Sequence, residues 1–337
     1  MHRSDRLPRA ADGGDRTIDE SLAVRDDGHY TWDIVGAGRG LPGGGLHIYL
    51  TGDLLHPPMV PDPAIWSDGR RWRDGAALHT RQIAELAGLT EGERVLDVGG
   101  GLGGPARLLA REHGVRVTSV TNSAAHAATS RRLNRTRPMG EGSVTVVLGD
   151  CQRSVPGGPF SAAVSINMLY QVQDHRALFQ QVFSSLEPGG RFVIDDWLLT
   201  PLATQEDVAD LVTHFHFPHF ARTNTVEADL MAVGFLPAHT SLDFGDVARG
   251  PMADHFERQM WEYFAPQVIS DWPGDPIRTP GRPAYGELMV KEFVDAVNTT
   301  LQLYARRRMT YRRILVRRPE LRELGPEFSS GTSPLRG

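Results

Sequence analysis

The chain has 337 residues, of which 40% are hydrophobic and 23% are charged, and its formal net charge is -5 at pH 7. This length suits one large α/β domain or one domain with insertions. The negative net charge provides no overall basic field that would attract nucleic acid. No segment approaches the roughly 18 apolar residues of a membrane span, and the N-terminus lacks the apolar run of a signal peptide. We therefore expect a cytoplasmic protein that has neither nucleic acid nor a membrane as a partner.

Cys151 is the only cysteine of the chain. A single thiol excludes a disulfide framework and a structural zinc site built on cysteines. It also suits the reducing conditions of the cytoplasm.

The first 90 residues predict a cap that precedes the core. Residues 1–28 are polar, charged and rich in glycine, and we expect them to be largely disordered. Residues 29–75 hold many Gly, Pro and Trp residues, a pattern typical of irregular structure. Residues 75–88 have apolar side chains at helical spacing and Gly88 as a stop signal, so the segment 29–90 comprises a cap and a first helix.

Between residues 91 and 245, short apolar runs alternate with helical patterns. Strands separated by helices of this length predict a doubly wound, mostly parallel sheet. The predicted strands are 94–100, 116–121, 143–150, 160–166, 191–199 and 236–244. The predicted helices are 104–114, 123–136, 174–187 and 226–235. Asp174 is placed to cap the third of these helices, because a carboxylate there can accept a free backbone N–H.

Residues 246–308 lie between the last two expected strands and carry an unusual number of aromatic side chains. The long helical pattern of 285–308 belongs to this insertion. It can be interpreted as a lid over a substrate or as a dimer contact, so a homodimer is among our expectations. Residues 309–318 predict the final core strand, and residues 319–337 a polar tail.

The segment LDVGGGLGG follows a predicted strand and opens a helix, as a nucleotide-binding loop does. A Walker phosphate loop would need a lysine, which is absent here. A dinucleotide loop could use Gly99, Gly101 and Gly104, but Asp97 would repel a pyrophosphate at close range. An acid here would instead attract an ammonium, and S-adenosylmethionine (SAM) has an ammonium and no phosphate. A turn without any ligand is disfavoured, since flexible glycine runs cost folding entropy.

The segment VLDVGGGLGGPARLLA resembles motif I of the class I SAM-dependent methyltransferases, and the similarity extends over residues 75–240. It is similar to the small-molecule subgroup of sarcosine/dimethylglycine, tocopherol, cyclopropane-synthase-like and antibiotic-pathway enzymes. The resemblance implies a Rossmann-like α/β fold whose seven-stranded, mostly parallel sheet ends in an antiparallel strand, with N-terminal and late helical cap insertions. It also implies SAM as the cofactor and S-adenosylhomocysteine (SAH) as its product.

The resemblance assigns a set of residues to the cofactor. They are Asp97, Gly99, Gly101, Gly103, Thr121, Asn122, His126, Asp150, Cys151 and Asn167. Many family members end the second strand with an acid that binds the ribose, whereas this chain has Thr121 and Asn122 there. His126 occupies a position where the subgroup has Gln, and it can still hydrogen-bond a hydroxyl. Asp150 matches the acid that bonds the adenine amino group, although a simple strand-ending turn residue is the alternative.

Methyl transfer requires the protein to align the acceptor with the methyl–sulfur axis and to exclude water. A hydroxyl acceptor would also gain from a positioned base. The candidate catalytic residues are His214, His219 and Asp196, and the candidate substrate contacts are Tyr170, Trp197 and His216. No metal is expected, because the histidine spacing fits no standard zinc pattern. Related prenyl-diphosphate C-methyltransferases carry a Glu aligned with Asn167, and an amide cannot replace it as a base, so their mechanism is disfavoured here.

These features lead us to expect SAM-dependent methyl transfer to a small-molecule acceptor in bacterial natural-product biosynthesis. Oxygen is the first choice of acceptor atom, with nitrogen or carbon close behind. Two alternatives stay open: a SAM-binding cyclase or pericyclase that does not transfer methyl, and an NAD(P)-dependent reductase. Formation of SAH on turnover would separate the first from methyl transfer, and titration with SAM and NADPH would separate the second.

The substitution Asp97→Ala tests the assignment of the glycine-rich loop. Removing the carboxylate removes the proposed partner of the cofactor's ammonium, so SAM binding should weaken greatly. Isothermal titration calorimetry of both proteins measures the change. Unchanged affinity would contradict the assignment.

Overall fold

The computed structural model describes residues 46–215, 219–271 and 285–324. Several predictions fall outside these residues and are not addressed by the structure. They are the disordered N-terminus 1–28, the cap up to residue 45, the substrate contact His216 and the end of the tail from residue 325.

Seven strands form one sheet in the order β3-β2-β1-β4-β5-β7-β6. The strands are β1 (Arg94–Val98), β2 (Arg116–Thr121), β3 (Ser143–Leu148), β4 (Phe160–Ile166), β5 (Leu186–Leu199), β6 (Leu236–Asp243) and β7 (Met309–Arg317). Strands β1 to β5 pair in parallel, and β7 runs antiparallel to both β5 and β6. This arrangement confirms the predicted Rossmann-like sheet with an antiparallel last strand. The strand order reverses between β1 and β4, where ligands of open α/β sheets bind.

Eight α-helices precede β6 in the described residues, and five of them match the predicted helices. The eight helices are α1 (His47–Thr51), α2 (Pro63–Trp66), α3 (Trp72–Ala87), α4 (Gly104–His113), α5 (Ala124–Thr136), α6 (His175–Ser185), α7 (Gln205–Phe215) and α8 (Thr223–Val233). The Asp174 carboxylate accepts the Ala177 N–H at 2.9 Å, which confirms the predicted cap of α6. Gly88 ends α3 in the left-handed conformation that favours glycine, as the sequence predicts.

The largest differences from the predicted elements are at the start of β5 and at helix α7. β5 begins at Leu186, so the Pro-Gly-Gly run predicted to separate helix from strand lies inside the strand. Its start pairs with Phe160 across an irregularity in the ladder, and this pairing outweighs the local turn preference. Helix α7 was not predicted, because its few apolar residues, among them the fully buried Leu211, give only a short periodic stretch.

The segment before β7 is helical in the parts that the structure describes. It contains α9 (Gly245–Val247), α10 (Ala253–Gln259), α11 (Ala265–Asp271) and α12 (Tyr285–Ala305), with π-helical turns at Ala248–Met252 and Met260–Phe264. Pro251 and the non-helical Gly250 lie in the first π-helical turn, which explains why a periodic pattern is hard to see there. None of the helices in the described residues is both long and apolar enough to cross a membrane.

An apolar core cluster, separate from those that pack on the middle of the sheet, joins the N-terminal cap to these late helices. Trp72 at the start of α3 stacks on Phe256 at a ring separation of 5.7 Å and touches Phe264 at 5.0 Å. The same cluster includes Leu199 at the end of β5 and Tyr311 in β7. The cap and the late helices therefore pack together over one end of the sheet.

The Asp195 carboxylate ties this apolar core cluster to the sheet. It is fully buried, and it accepts hydrogen bonds from Nε2 of His79 at 2.6 Å and from Nε of Arg313. The Met59 N–H donates to Nδ1 of His79 at 3.0 Å, so the imidazole proton must lie on Nε2 and the ring is neutral. The backbone carbonyl of Asp195 also accepts the Asn167 N–H at 2.8 Å. Three segments distant in sequence are thus fixed to one residue of β5.

The charge state of Asp195 follows from these contacts. Burial alone would favour the neutral acid, but the interactions with His79 and with Arg313 hold the pKa of Asp195 well below its usual range. Asp195 and Arg313 therefore form a buried ion pair supported by a neutral histidine.

Arg313→Met should destabilise the fold strongly, because it leaves the Asp195 carboxylate buried without a counter-charge. Breaking a buried pair in this way costs about 3–5 kcal/mol of unfolding free energy. The matched control is Arg81→Met, which breaks the largely exposed Arg81–Glu112 pair and should cost at most about 1 kcal/mol. Urea denaturation measures both, and equal losses would contradict the role given to Asp195.

Candidate active site

The glycine-rich loop between β1 and α4 forms an open backbone cradle at the carboxyl edge of the sheet. Gly99, Gly101 and Gly103 have φ values of 75°, 50° and 74°, which are strained for any residue with a Cβ. A Cβ on Gly99 would lie 2.3 Å from Cγ of Met168, and one on Gly103 would lie 2.4 Å from Oγ of Ser130. The glycines are therefore required by both conformation and space. The loop presents backbone rather than side chains to whatever it holds.

Asp97 lies directly under this loop at the end of β1. Its carboxylate is 2% exposed and accepts a hydrogen bond from the Ser119 hydroxyl at 2.8 Å. No described residue brings a cationic group into contact with it. Burial raises the pKa of Asp97 to about 6, although the Ser119 hydrogen bond and the Arg107 charge oppose the rise. A buried acid that lacks a cationic partner next to an open cradle fits a ligand that brings an ammonium.

The next two strands bring the other candidate cofactor residues to the same edge. Thr121 ends β2, and Asn122 is exposed beyond it. His126 lies in the first turn of α5 and is half-buried. Asp150 follows β3, where its carboxylate accepts the Gln152 N–H at 2.9 Å.

Cys151 lies beside the glycine loop. Burial raises the pKa of its thiol to about 12, although a hydrogen bond with the Gly99 backbone opposes the rise. The thiol is therefore protonated, as suits a wall residue rather than a nucleophile.

A buried charge cluster clamps the N-terminal cap onto the loop. Asp53 is 5% exposed and accepts hydrogen bonds from Arg107 at 2.7 Å and from Arg137 at 2.8 Å. A Cβ on Gly104 would lie 2.2 Å from the carbonyl oxygen of Asp53, so the turn Gly52–Leu54 packs directly on the start of α4. The cap is thus part of the cofactor cradle rather than a separate layer.

The turn after β4 connects the cradle to the space beneath the cap. Met168 packs on Gly99 of the loop, and its neighbour Asn167 has φ 53°, a left-handed conformation that Asn tolerates better than most residues. The Asp196 carboxylate accepts the N–H groups of Met168 and Leu169 at 2.6 and 2.7 Å, and that of Trp197 at 2.9 Å. Burial raises the pKa of Asp196 to about 7, against the effect of these hydrogen bonds. Through these three hydrogen bonds, Asp196 fixes the backbone conformation of the turn.

An apolar cavity opens next to this turn, under the cap and the late helices. Its empty space is about 820 Å³ when the solvent in its open mouth is counted. Its wall is mainly aromatic. The rings that line it are Trp66, Trp72, Tyr170, Trp197, Phe256, Phe293, Tyr304 and Tyr311. Among the residues that the structure describes, no Asp, Glu, His, Lys or Arg lines the cavity.

The tyrosines of this wall cannot serve as bases near neutral pH. Burial raises the pKa of Tyr170, and also that of Tyr304 and Tyr311, above the ordinary value of a phenol. All three side chains are therefore neutral. The cavity suits an uncharged molecule with a large apolar surface.

The structure brings some predicted site residues together and separates others. Asn167, Tyr170 and Trp197 all line the cavity, with the Tyr170 and Trp197 rings 4.9 Å apart. Asp196 does not line the cavity, because its oxygens accept backbone N–H groups, so the structure does not support it as a substrate-touching base. His214, at the end of α7, and His219 do not line it either.

Sequence analysis missed the residues that join the parts of the site. Asp53, Arg107, His79 and Arg313 were not singled out, because their roles depend on partners that are distant in sequence. A weak signal exists for Arg107: it lies between Ala106 and Leu108 in the apolar helix α4, where an unpaired charge would be costly. The partner Asp53 is distant in sequence, so only the fold reveals the pair.

Comparisons with known proteins agree with this geometry. A family model described as a methyltransferase domain matches residues 70–235. This segment begins in the cap, includes the glycine-rich loop and ends just before β6. The match therefore covers most of the cradle and the turn after β4.

Two curated relatives are similar to part of this chain. Sterol 24-C-methyltransferase of Eremothecium gossypii is 31% identical over 133 residues, which are 39% of this chain and 35% of that protein. The 2-methyl-6-phytyl-1,4-hydroquinone methyltransferase of Synechocystis is 27% identical over 199 residues, which are 57% of this chain and 62% of that protein. The matches thus span less than two thirds of either relative's length.

The fold is shared with solved structures over a larger part of the chain. The cyclopropane synthase MmaA2 of Mycobacterium tuberculosis aligns with a TM-score of 0.65 over 81% of this chain and 93% of that chain. The two sequences are 13% identical in this alignment. At this identity, the likeness concerns the fold alone.

The raised pKa of Asp97 predicts a pH-dependent affinity for SAH. The ammonium of the ligand favours the carboxylate, so binding should release a proton wherever free Asp97 is protonated. Affinity should therefore fall as the pH drops below about 6, by at most about tenfold per pH unit, and level off above it. Titration calorimetry between pH 5 and pH 8 measures this dependence. The control Asp97→Asn should bind more weakly without this dependence, and a pH-independent affinity of the unaltered protein would contradict the argument.

Proposed function

We propose, on the premise that this chain belongs to the class I SAM-dependent methyltransferases, that it transfers a methyl group from SAM to a small apolar molecule held in the aromatic cavity. Membership of this family favours SAM over NAD(P) as the cofactor. The cradle fits this group, since its open glycine backbone and the buried carboxylate of Asp97 suit an amino-acid ligand with an ammonium. The activity and the acceptor are our proposals.

One observation carries the proposal: the cofactor cradle and the cavity share a wall. Met168 packs on Gly99 of the cradle, while the adjacent Asn167 lines the cavity. A cofactor on the loop and an acceptor in the cavity would thus meet at the turn after β4. Asp196 holds this turn by three backbone hydrogen bonds, so it acts as a positioning residue.

We propose carbon as the acceptor atom, in place of the oxygen that the sequence alone favours. A hydroxyl acceptor would gain from a base, and no described lining residue supplies one. A carbon–carbon double bond or an electron-rich aromatic ring needs no base to attack a methyl group. The name of the sterol relative, a 24-C-methyltransferase, supports the same choice.

The cofactor supplies an electrophilic methyl group, whose bond to sulfur breaks with the electron pair going to sulfur as the new carbon–carbon bond forms. The side chains of the cavity stabilise the developing charge and exclude water. The faces of Trp197, Tyr170 and the neighbouring rings stabilise the positive charge left on the acceptor. The apolar wall excludes water during the transfer. Because no described lining side chain is a carboxylate or an imidazole, the proton lost after the transfer would pass to water at the open mouth of the cavity.

Several finer expectations stay proposals. The late helices line the cavity and suit a lid, while a homodimer contact stays the alternative for their outer face. A role in bacterial natural-product biosynthesis fits an apolar cavity of this size. A SAM-binding cyclase stays the second candidate, because a cavity without acid or base suits a reaction that needs no proton transfer.

Turnover of an apolar metabolite library with SAM that carries a deuterated methyl group tests the proposed function. We expect one SAH for each product and the labelled methyl on a carbon atom, located by mass spectrometry and NMR. The control Asp97→Ala should give no labelled product under the same conditions. Label on oxygen or nitrogen would overturn the choice of carbon, and turnover without SAH would overturn methyl transfer in favour of the cyclase.

A further inference from the structure

We infer that the Tyr311 hydroxyl is a specificity-determining hydrogen-bond donor, which selects an acceptor molecule that carries one neutral oxygen, such as a ketone or an ether, on an otherwise apolar frame. The inference deepens the proposed function and rests on it, since it assumes that the cavity holds the methyl acceptor. It assigns to one residue of β7 the recognition of the molecule's polar group.

The Tyr311 side chain is buried, yet its hydroxyl has no hydrogen-bond partner among the described residues. Its residue is 2% exposed, and its ring lines the cavity. The ring is fixed in place, because it packs edge-on against His79 at 5.9 Å and lies opposite Trp197 in the β5–β7 ladder. A rigid, desolvated donor at a ligand cavity is costly unless a ligand accepts its hydrogen bond.

The nearby acids do not take this role. Asp195 accepts from His79 and Arg313, and Asp196 accepts from backbone N–H groups. The Tyr311 hydroxyl lies near the Asp195 carboxylate without forming a hydrogen bond of normal geometry, so the two carboxylates act on it mainly through their charge. Burial first, and then these two negative charges, hold the pKa of Tyr311 well above the ordinary value, so the hydroxyl keeps its proton and can donate it.

Two other hydroxyl groups of the wall already have hydrogen-bond partners in the chain. The Thr300 hydroxyl donates to the Val297 carbonyl within α12 at 2.7 Å. The Tyr170 hydroxyl is next to the side chain of Gln171, which hydrogen-bonds it. Because no charged side chain lines the described wall, a charged ligand would lose its hydration without gaining a counter-charge. A neutral acceptor oxygen is the chemistry that matches Tyr311.

A pair of shape-matched probes tests this inference by calorimetry in the presence of SAH. The probes are 2-acetylnaphthalene and 2-isopropenylnaphthalene, which differ by a carbonyl in place of a terminal alkene. The unaltered protein should bind the ketone about tenfold more tightly, the effect of one satisfied buried donor. Tyr311→Phe should bring the ratio to about one by weakening the ketone alone. Equal binding of both probes by the unaltered protein, or a preference that survives Tyr311→Phe, would overturn the inference.

Two further measurements separate the possible causes of failure. Tyr170→Phe removes a cavity hydroxyl that already has a partner in the chain, so it should change the affinity of both probes equally. Tyr311→Phe should leave the melting temperature unchanged or raise it, whereas a clear drop would show that the hydroxyl bonds within the protein and would overturn the inference. Binding of neither probe would count against the proposed function itself.

Discussion

The buried ion pair of Asp195 and Arg313 is the contact on which the geometry of the site depends. It links β5 to β7, and through the neutral ring of His79 it reaches α3 and the Met59 backbone in the cap. Since the same residue accepts the Asn167 N–H, it also fixes the turn after β4. Asp195 therefore positions the cap and the strand that carries Tyr311 through its carboxylate, and the wall shared by cradle and cavity through its backbone carbonyl.

A second buried charge cluster joins the cap to the core. Asp53 draws Arg107 and Arg137 together and closes the cap over the start of α4. These ionic contacts lie outside the cavity, which leaves the described cavity wall free of charge. The arrangement separates strong electrostatic contacts, which hold the scaffold, from the apolar surface that suits an uncharged acceptor and a transient positive charge.

Much of the fold could be predicted from sequence, because each core strand and helix carries its own periodic pattern and the glycine loop carries its own chemistry. Asp97 and Gly99 were predicted as cofactor contacts in this way. The candidate bases were a weaker prediction: His214 and His219 have suitable chemistry, but the fold does not bring them to the cavity. The joining residues Asp53 and Arg313 were missed, since their roles depend on partners 54 and 118 positions away. Such pairs leave no local signal.

The central claim is that cradle and cavity form one site, joined at the turn after β4. A crystal structure of the protein with bound SAH tests it most directly. Our account predicts that the ammonium lies at Asp97 and that the sulfur points past Asn167 into the cavity lined by Tyr170 and Trp197. A sulfur atom that faces away from this cavity, or SAH bound outside the glycine-rich loop, would contradict it.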